Sequence, residues 1–326
     1  MEDLPTVEER LATAPSFRGV VNMVGATNPL QRKRIRAMLA SRDASYFEFA
    51  ESMSRSLEAT FMREPDDARA AAAAYDELCF EILREQIRFR KTGVYRLDDA
   101  AEANDTVYAD PIRMRRYLIG LLLTYLFWPN HYELFRHFRR GIAALRPRRG
   151  LEVGAGHGLF TAELMRQHPG LDLTVLDISE SSLEVTRAFL AAFDVASRTI
   201  RFRLADFMGP DVDLPEFDLI VMGEVVEHVN DAEGLLRRAR ALLAPGGTLY
   251  LTTCANCPAA DHIYYFGSPA DIRFLLDRAG FDVVEELVLP AEAVPVERWE
   301  AERITVNYGA FLRKSAEREP AAVDLK

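Results

Sequence analysis

Leu151-Glu152-Val153-Gly154-Ala155-Gly156-His157-Gly158 is a short apolar run followed by three glycines, each separated by one residue. It reads as a buried strand feeding a glycine-rich turn, and the apolar spacing beyond it opens a helix over about 159–168. Glycine adopts backbone conformations closed to other residues and lets a ligand lie directly against the chain. In sheets of parallel strands, ligands bind beyond the carboxyl ends of the strands. A dinucleotide loop of the form Gly-x-Gly-x-x-Gly needs a third small residue three places after Gly156. Leu159 stands there, so this turn departs from that pattern.

The alternation continues downstream. Strands are expected at 173–176, 200–204, 217–222 and 248–253, with helices at about 179–193 and 231–243. Ser268-Pro269 starts another helix to Ala279, with Gly280 as its stop. Two last strands, 281–289 and 304–312, have no helix between them, which predicts an antiparallel edge. Strands alternating with helices imply βαβ units and a mostly parallel sheet, an α/β fold. Upstream of about residue 145 the pattern is helical almost throughout. Asp43 caps a helix to about Met62, with Tyr46, Phe49, Met53, Leu57 and Phe61 at threes and fours. Pro65-Asp66-Asp67 starts a helix ended by Gly93, Asp110-Pro111 an apolar helix to Trp128, and Pro129-Asn130 a helix carrying Tyr132, Phe135, Phe138 and Ile142. Residues 1–20 read as an irregular arm, 21–144 as an all-α domain, 145–315 as the α/β domain and 316–326 as a tail.

Polar residues recur at the strand ends. Asp177 closes the second strand, with Ile178 beside it, and a carboxylate there accepts both hydroxyl hydrogens of a ribose. Asp206 follows the third strand, placed to accept from an adenine amino group, and Phe207 can pack beside the base. The fourth strand runs into Gly223-Glu224-Val225-Val226-Glu227-His228, and Pro245-Gly246-Gly247 precedes the fifth. This acidic rim suits a cationic nucleoside better than a pyrophosphate.

In that order the motifs resemble those of the class I S-adenosylmethionine-dependent methyltransferases, over residues 145–314. The resemblance implies a Rossmann-like seven-stranded sheet with an antiparallel last strand, and S-adenosyl-L-methionine as cofactor. It assigns cofactor contacts to Glu152, Gly154, Ala155, Gly156, Gly158, Asp177, Ile178, Asp206, Phe207, Gly223 and Glu224. It also implies methyl transfer to a small molecule, an amino acid or a specialised metabolite. Two other functions are compatible with such a site. One is cyclisation of the donor's own aminobutyrate arm to azetidine-2-carboxylate and methylthioadenosine; the other is a non-catalytic partner protein that only binds the donor.

An acceptor that loses a proton calls for a base, and histidine titrates in the right range. His228, past the fourth strand, and His262, in the loop after the fifth, are the candidates, with Tyr264 nearby. Cys254-x-x-Cys257 invites a metal reading, but a closed zinc site wants four ligands and too few are evident in sequence, so no metal is expected. The helical half carries Tyr108, Arg113, Arg115, Arg116, Tyr117, Tyr125, Trp128, His131 and Tyr132 near its end, a set that reads either as core and solvated face or as a cover gripping the substrate. Such a half also serves in related enzymes as a lid or a homodimer contact.

The chain's 326 residues, 49% apolar and 28% charged, have globular composition over a length for two domains. Three cysteines exclude a disulfide scaffold, and Met1-Glu2-Asp3-Leu4-Pro5 lacks the basic and apolar regions of a signal peptide, so the cytoplasm is the expected location. The longest apolar run, 117–128, falls short of the roughly 18 residues of a membrane span and is expected to be a buried helix. Net charge is −10. Residues 1–142 carry 21 acidic and 21 basic groups, residues 143–326 carry 29 and 19, so the whole excess lies in the α/β half. An acidic chain is a poor polyanion binder, which argues against nucleic acid as partner. The arginines between 136 and 149 are expected to form a solvated boundary.

Overall fold

The computed structural model describes residues 6–103, 110–193 and 200–316. The chain begins with helices α1 (Val7–Ala12), α2 (Pro15–Thr27), α3 (Pro29–Ala40), α4 (Ala44–Thr60), α5 (Pro65–Thr92) and α6 (Ala100–Ala103). Then come α7 (Pro111–Phe127) and α8 (Pro129–Ala143). The capping residues act as the sequence indicates. Asp43 accepts from the Tyr46 N–H, Asp110 accepts from Ile112 and Arg113, and Gly93 ends α5 at φ 76°.

Residues 7–12 and 15–27 are helical, so the expected irregular arm over 1–20 does not hold for the residues described. Thr6 and Glu9 form a capping box and Pro15 begins α2. Packing stabilises these short helices. Phe17 is fully buried between Tyr46, Phe47 and Phe127, and its N–H donates to the Glu51 carboxylate at 3.0 Å. Gly19 and Gly25 weaken the helical signal in sequence; burial against α4 and α7 supplies what local propensity lacks. The expected tail lies outside the described residues beyond Ala316.

The sheet runs in the order β3-β2-β1-β4-β5-β7-β6. Its strands are β1 (Arg149–Val153), β2 (Asp172–Asp177), β3 (Ile200–Leu204), β4 (Phe217–Gly223), β5 (Leu243–Ala255), β6 (Phe281–Pro290) and β7 (Val306–Lys314). The first five pair in parallel through crossover helices α9 (Leu159–Gln167), α10 (Glu180–Leu190) and α11 (Ala232–Leu242). After α12 (Pro269–Arg278), β6 forms the edge and β7 slots antiparallel between it and β5. The last strand is reversed as expected, but it lies one place inside the edge. The apolar β7, buried over most of its length, takes the covered position, while β6 bears Asp282, Glu285 and Glu286 on an exposed edge.

Alternate strand residues feed two cores. Ile220 and Met222 pack with α11 and α12, while Leu219 and Val221 join the cluster that continues into the helical half. The apolar run in α7 is indeed a buried helix, and no helix of the described residues is long and apolar enough to cross a membrane. Polar links also tie the halves: Asn130 donates to the Leu289 carbonyl and to Asn307, and Tyr250 donates to the Leu134 carbonyl.

Helix α8 lies close on the sheet because Gly141 has no side chain. A Cβ there would stand 2.0 Å from the Phe311 ring, which Tyr250 and His137 already confine. Gly141→Ala is therefore expected to lower stability by about 1–3 kcal/mol through overpacking. A 2.0 Å approach places the cost toward the upper end of that range, above the roughly 1 kcal/mol of helix propensity that alanine adds. A denaturant midpoint that stays level or rises would contradict the close contact.

Candidate active site

The glycine turn is built from left-handed residues: Gly154, Gly156 and Gly158 have φ of 70°, 53° and 80°. A Cβ on Gly154 would approach Val225 to 2.8 Å, and one on Gly158 would approach Thr186 to 2.8 Å. The turn folds over the end of β2, where Asp177 is 6% exposed. The Gly156 N–H donates to Asp177 Oδ2 at 3.3 Å and the Ser179 N–H to Oδ1 at 2.9 Å. Burial raises the Asp177 pKa to about 6 against the opposing pull of these amides. The buried carboxylate lines a cavity together with Gly154, Ala155 and Gly156.

Two residues of the motif work behind that wall. Glu152 is buried within β1, accepts from Thr161 Oγ1 at 2.5 Å, and is pushed up by burial to about 8, so it is held as a neutral acid at neutral pH. Gly158 begins α9. Neither lines the cavity, so both support the turn from inside.

Ile178, Asp206, Phe207, Gly223 and Glu224 all reach the cavity wall. Ile178 is exposed there, an apolar surface for a ring. Asp206 accepts from the Met208 N–H at 2.8 Å, and Arg238 lies over the buried Phe207 ring. Gly223 is required by Phe160, whose ring would lie 2.8 Å from a Cβ. Glu224 holds φ 53°, which is unusual for a residue with a side chain. Its N–H donates to the Thr252 carbonyl and hydroxyl.

The segment after β4 and the loop after β5 meet. His228 and His262 stand perpendicular with ring centroids 4.8 Å apart, and both line the cavity. His228 Nδ1 lies 3.0 Å from the Asp261 carbonyl and His262 Nδ1 2.7 Å from the Cys257 carbonyl. Burial lowers the His262 pKa to about 4, so the ring is neutral at neutral pH. Between them Glu227 is 1% exposed, and Thr253 Oγ1 donates to its Oε2 at 2.8 Å. Burial and the neighbouring Glu224 carboxylate push Glu227 well above the usual carboxylate range. Tyr264 does not join this group. It packs on Phe266, away from the cavity walls, and its N–H donates to the Glu227 carbonyl. Cys254 and Cys257 approach His262, with Cys254 Sγ 3.8 Å from Nδ1.

The cavity measures about 1530 Å³, beyond the roughly 300–1,000 Å³ of most ligand pockets. It runs from the glycine turn to the helical half, where α3, α5 and α7 wall it with Ile35, Met38, Tyr75, Ile82, Tyr117 and Tyr125. Trp128 and His131 line it as well, while Tyr132 is buried beside Tyr46 and Phe49. The arginines singled out in sequence do not grip it. Arg113 pairs with Glu81, Arg116 with Glu77, and Arg115 lies over Phe61, because α7 turns this face toward α5 and α4. Tyr108 lies outside the described residues. Among the described residues, the arginine that lines the cavity is Arg34, on α3. His157 also lines it, buried against Tyr125. The boundary arginines are largely paired, Arg136 with Glu133, Arg139 with Glu163 and Arg140 with Glu285. Tyr95 braces the histidine loop, its hydroxyl accepting from the Cys257 N–H at 2.9 Å.

A family model described as a methyltransferase domain matches residues 129–286. The ubiquinone biosynthesis O-methyltransferase of Xanthomonas campestris pv. campestris (strain B100) is 31% identical over 133 residues, 40% of this chain and 54% of that protein. The protein of the same name from Bordetella avium (strain 197N) is 29% identical over 149 residues, 46% of this chain and 59% of that protein. The chain thus spans little more than half the length of these relatives. Among solved structures, the N-methyltransferase NodS from Bradyrhizobium japonicum, in complex with S-adenosyl-L-homocysteine, has 18% identity and a TM-score of 0.47, over 67% of this chain and 100% of that one. Residues 129–286 are a class I S-adenosylmethionine-dependent methyltransferase domain, preceded by an N-terminal helical region.

Proposed function

We propose that this protein transfers the methyl group of S-adenosylmethionine to a small molecule bound between the strand ends and the helical region. The observation that carries this reading is the continuity of the cavity. The glycine turn and Asp177 form one end, and about 1530 Å³ extends past them to α3 and α5. A cover closing on the donor alone, as cyclisation of the donor would favour, needs no such extension. The size also favours a specialised metabolite over a free amino acid. In this reading residues 21–144 form the acceptor-covering domain and 145–315 the donor domain.

The transfer is an in-line displacement at a sulfonium carbon. The acceptor's bond to the methyl forms as the sulfur–carbon bond breaks, and the sulfonium becomes a neutral thioether. The donor is already activated, so the protein's task is orientation, worth on the order of 7–11 kcal/mol. Asp177 holds the ribose hydroxyls, Asp206 and Phe207 the adenine end, and Ile178 covers the ring. His262 and His228 activate the acceptor. His262 keeps its proton on Nδ1, since a carbonyl can only accept, and presents the lone pair of Nε2.

His262→Ala is expected to lower turnover at least about tenfold with donor affinity nearly unchanged. Equal turnover with a true acceptor would remove His262 from the activation step. Donor affinity should fall in acid. Asp177 accepts from both ribose hydroxyls through both of its oxygens only when ionised, and with a pKa of about 6 this predicts roughly tenfold weaker binding at pH 5 than at pH 8. Calorimetric titration with S-adenosylmethionine checks this, and a flat profile would count against the ribose contact. Mass spectrometry of nucleoside products separates the chemistries. S-adenosylhomocysteine formed only with acceptor supports transfer, whereas methylthioadenosine formed without one supports cyclisation.

A further inference from the structure

We propose that Glu227, His228 and His262 hold a divalent first-row transition-metal ion at the acceptor end of the cavity. One ligand atom from each of the first three lies within 4.8 Å of the others. Small side-chain rotations bring such a set to the bond lengths of about 2.0–2.2 Å that imidazole and carboxylate ligands make.

The tautomers support the assignment. Each Nδ1 faces a backbone carbonyl, Asp261 O for His228 and Cys257 O for His262. A carbonyl accepts only, so both protons sit on Nδ1 and both ring lone pairs lie on Nε2. Metal-binding imidazoles are held by this kind of outer hydrogen bond, which fixes ring orientation and raises ligand basicity.

The carboxylates point the same way. Glu227 Oε1 and Glu224 Oε1 are buried and have no hydrogen-bond partner. Among the described residues, no lysine or arginine lies within 4 Å of either carboxylate. Thr253 Oγ1 serves only the other oxygen of Glu227, and the Glu224 carboxylate crowds it, so a cation bound at Glu227 offsets the cost of burying its charge. The positive φ of Glu224 is the kind of local strain that persists where surrounding structure aims a side chain.

Two imidazoles with carboxylate oxygens suit manganese, iron, cobalt or zinc better than calcium. The competing set, Cys254, Cys257 and His262, would draw on His262 Nδ1, the atom near Cys254 Sγ, and that nitrogen is committed to the Cys257 carbonyl. Glu224, His228 and His262 line the cavity, so an acceptor can reach the ion. With the Nε2 lone pairs bound to the ion, the histidines act on the acceptor through the ion and not as free bases; this role rests on the methyltransferase reading, whereas binding of the ion does not. Coordination of an acceptor hydroxyl would lower its pKa and release its proton to solvent. The resulting oxyanion would attack the methyl carbon as the sulfur–carbon bond breaks.

The test is a titration of chelator-treated full-length protein with Co²⁺, read by visible absorption and by metal-to-protein ratio. Binding of S-adenosylmethionine and circular dichroism serve as fold controls. One Co²⁺ per chain is expected, with affinity at least about tenfold weaker in Glu227→Gln and in His228→Ala. The double variant Cys254→Ser/Cys257→Ser is expected to bind as the parent does. Absence of Co²⁺ binding by protein that still binds the donor overturns the site and leaves the methyltransferase reading standing. A thiolate-to-cobalt charge-transfer band, or loss of binding only in the cysteine variant, overturns the ligand assignment. Metal bound without any methyl transfer would instead count against the function and not the site.

Discussion

The site depends on a carboxylate kept inside the protein. Asp177 ends a strand buried on both faces, and the amides of Gly156 and Ser179 hold its oxygens. That grip requires the turn to pass closely over the strand end, which only left-handed residues without Cβ atoms allow. The parallel register then carries the consequence sideways. Strands β1 to β4 run in one direction, so Asp177, the Asp206 loop and Glu224 all emerge at one edge.

The helical region is continuous with the core. Phe138 packs on Phe160 and Tyr250 in one apolar cluster, and Gly141 lets α8 approach β7. This contact fixes the direction of α7, and α7 with α3 and α5 forms the far wall of the cavity. The helices therefore set the space beside the donor, and the strands set where the donor lies. Tyr95 carries the coupling further by bracing the loop that bears His262.

Much of this was legible along the chain because it is local. Asp43, Asp110, Pro65, Pro129 and Gly93 mark helix ends by hydrogen-bonding or backbone chemistry that acts within a few residues. The strands of the α/β half follow from apolar runs bounded by turns. Helices α1 to α3 carry similar end marks in the Thr6–Glu9 capping box, Pro15 and Asn28-Pro29, but their apolar faces show only when Phe17 and Leu39 are packed. For the same reason nothing local distinguishes Arg34 from its neighbours, whereas Arg113, Arg115 and Arg116 form a conspicuous cluster that points elsewhere. Charge and spacing do not say which way a helix is rotated. Tyr264 is a similar case: it neighbours His262 in sequence, but chain direction at that turn sends its ring to Phe266.

By itself the sequence determined the sheet class, the glycine turn and the acids at the strand ends, because each follows from backbone conformation and the two-residue alternation of strands. Tertiary structure alone decided which groups share a space. Glu224 and Glu227 lie more than 30 residues before His262, yet Glu227 and His262 meet at ligand distance because two parallel strands end side by side. Their burial, their hydrogen bonds to distant carbonyls and the unpartnered carboxylate oxygens arise from that meeting, and no local rule of sequence contains it.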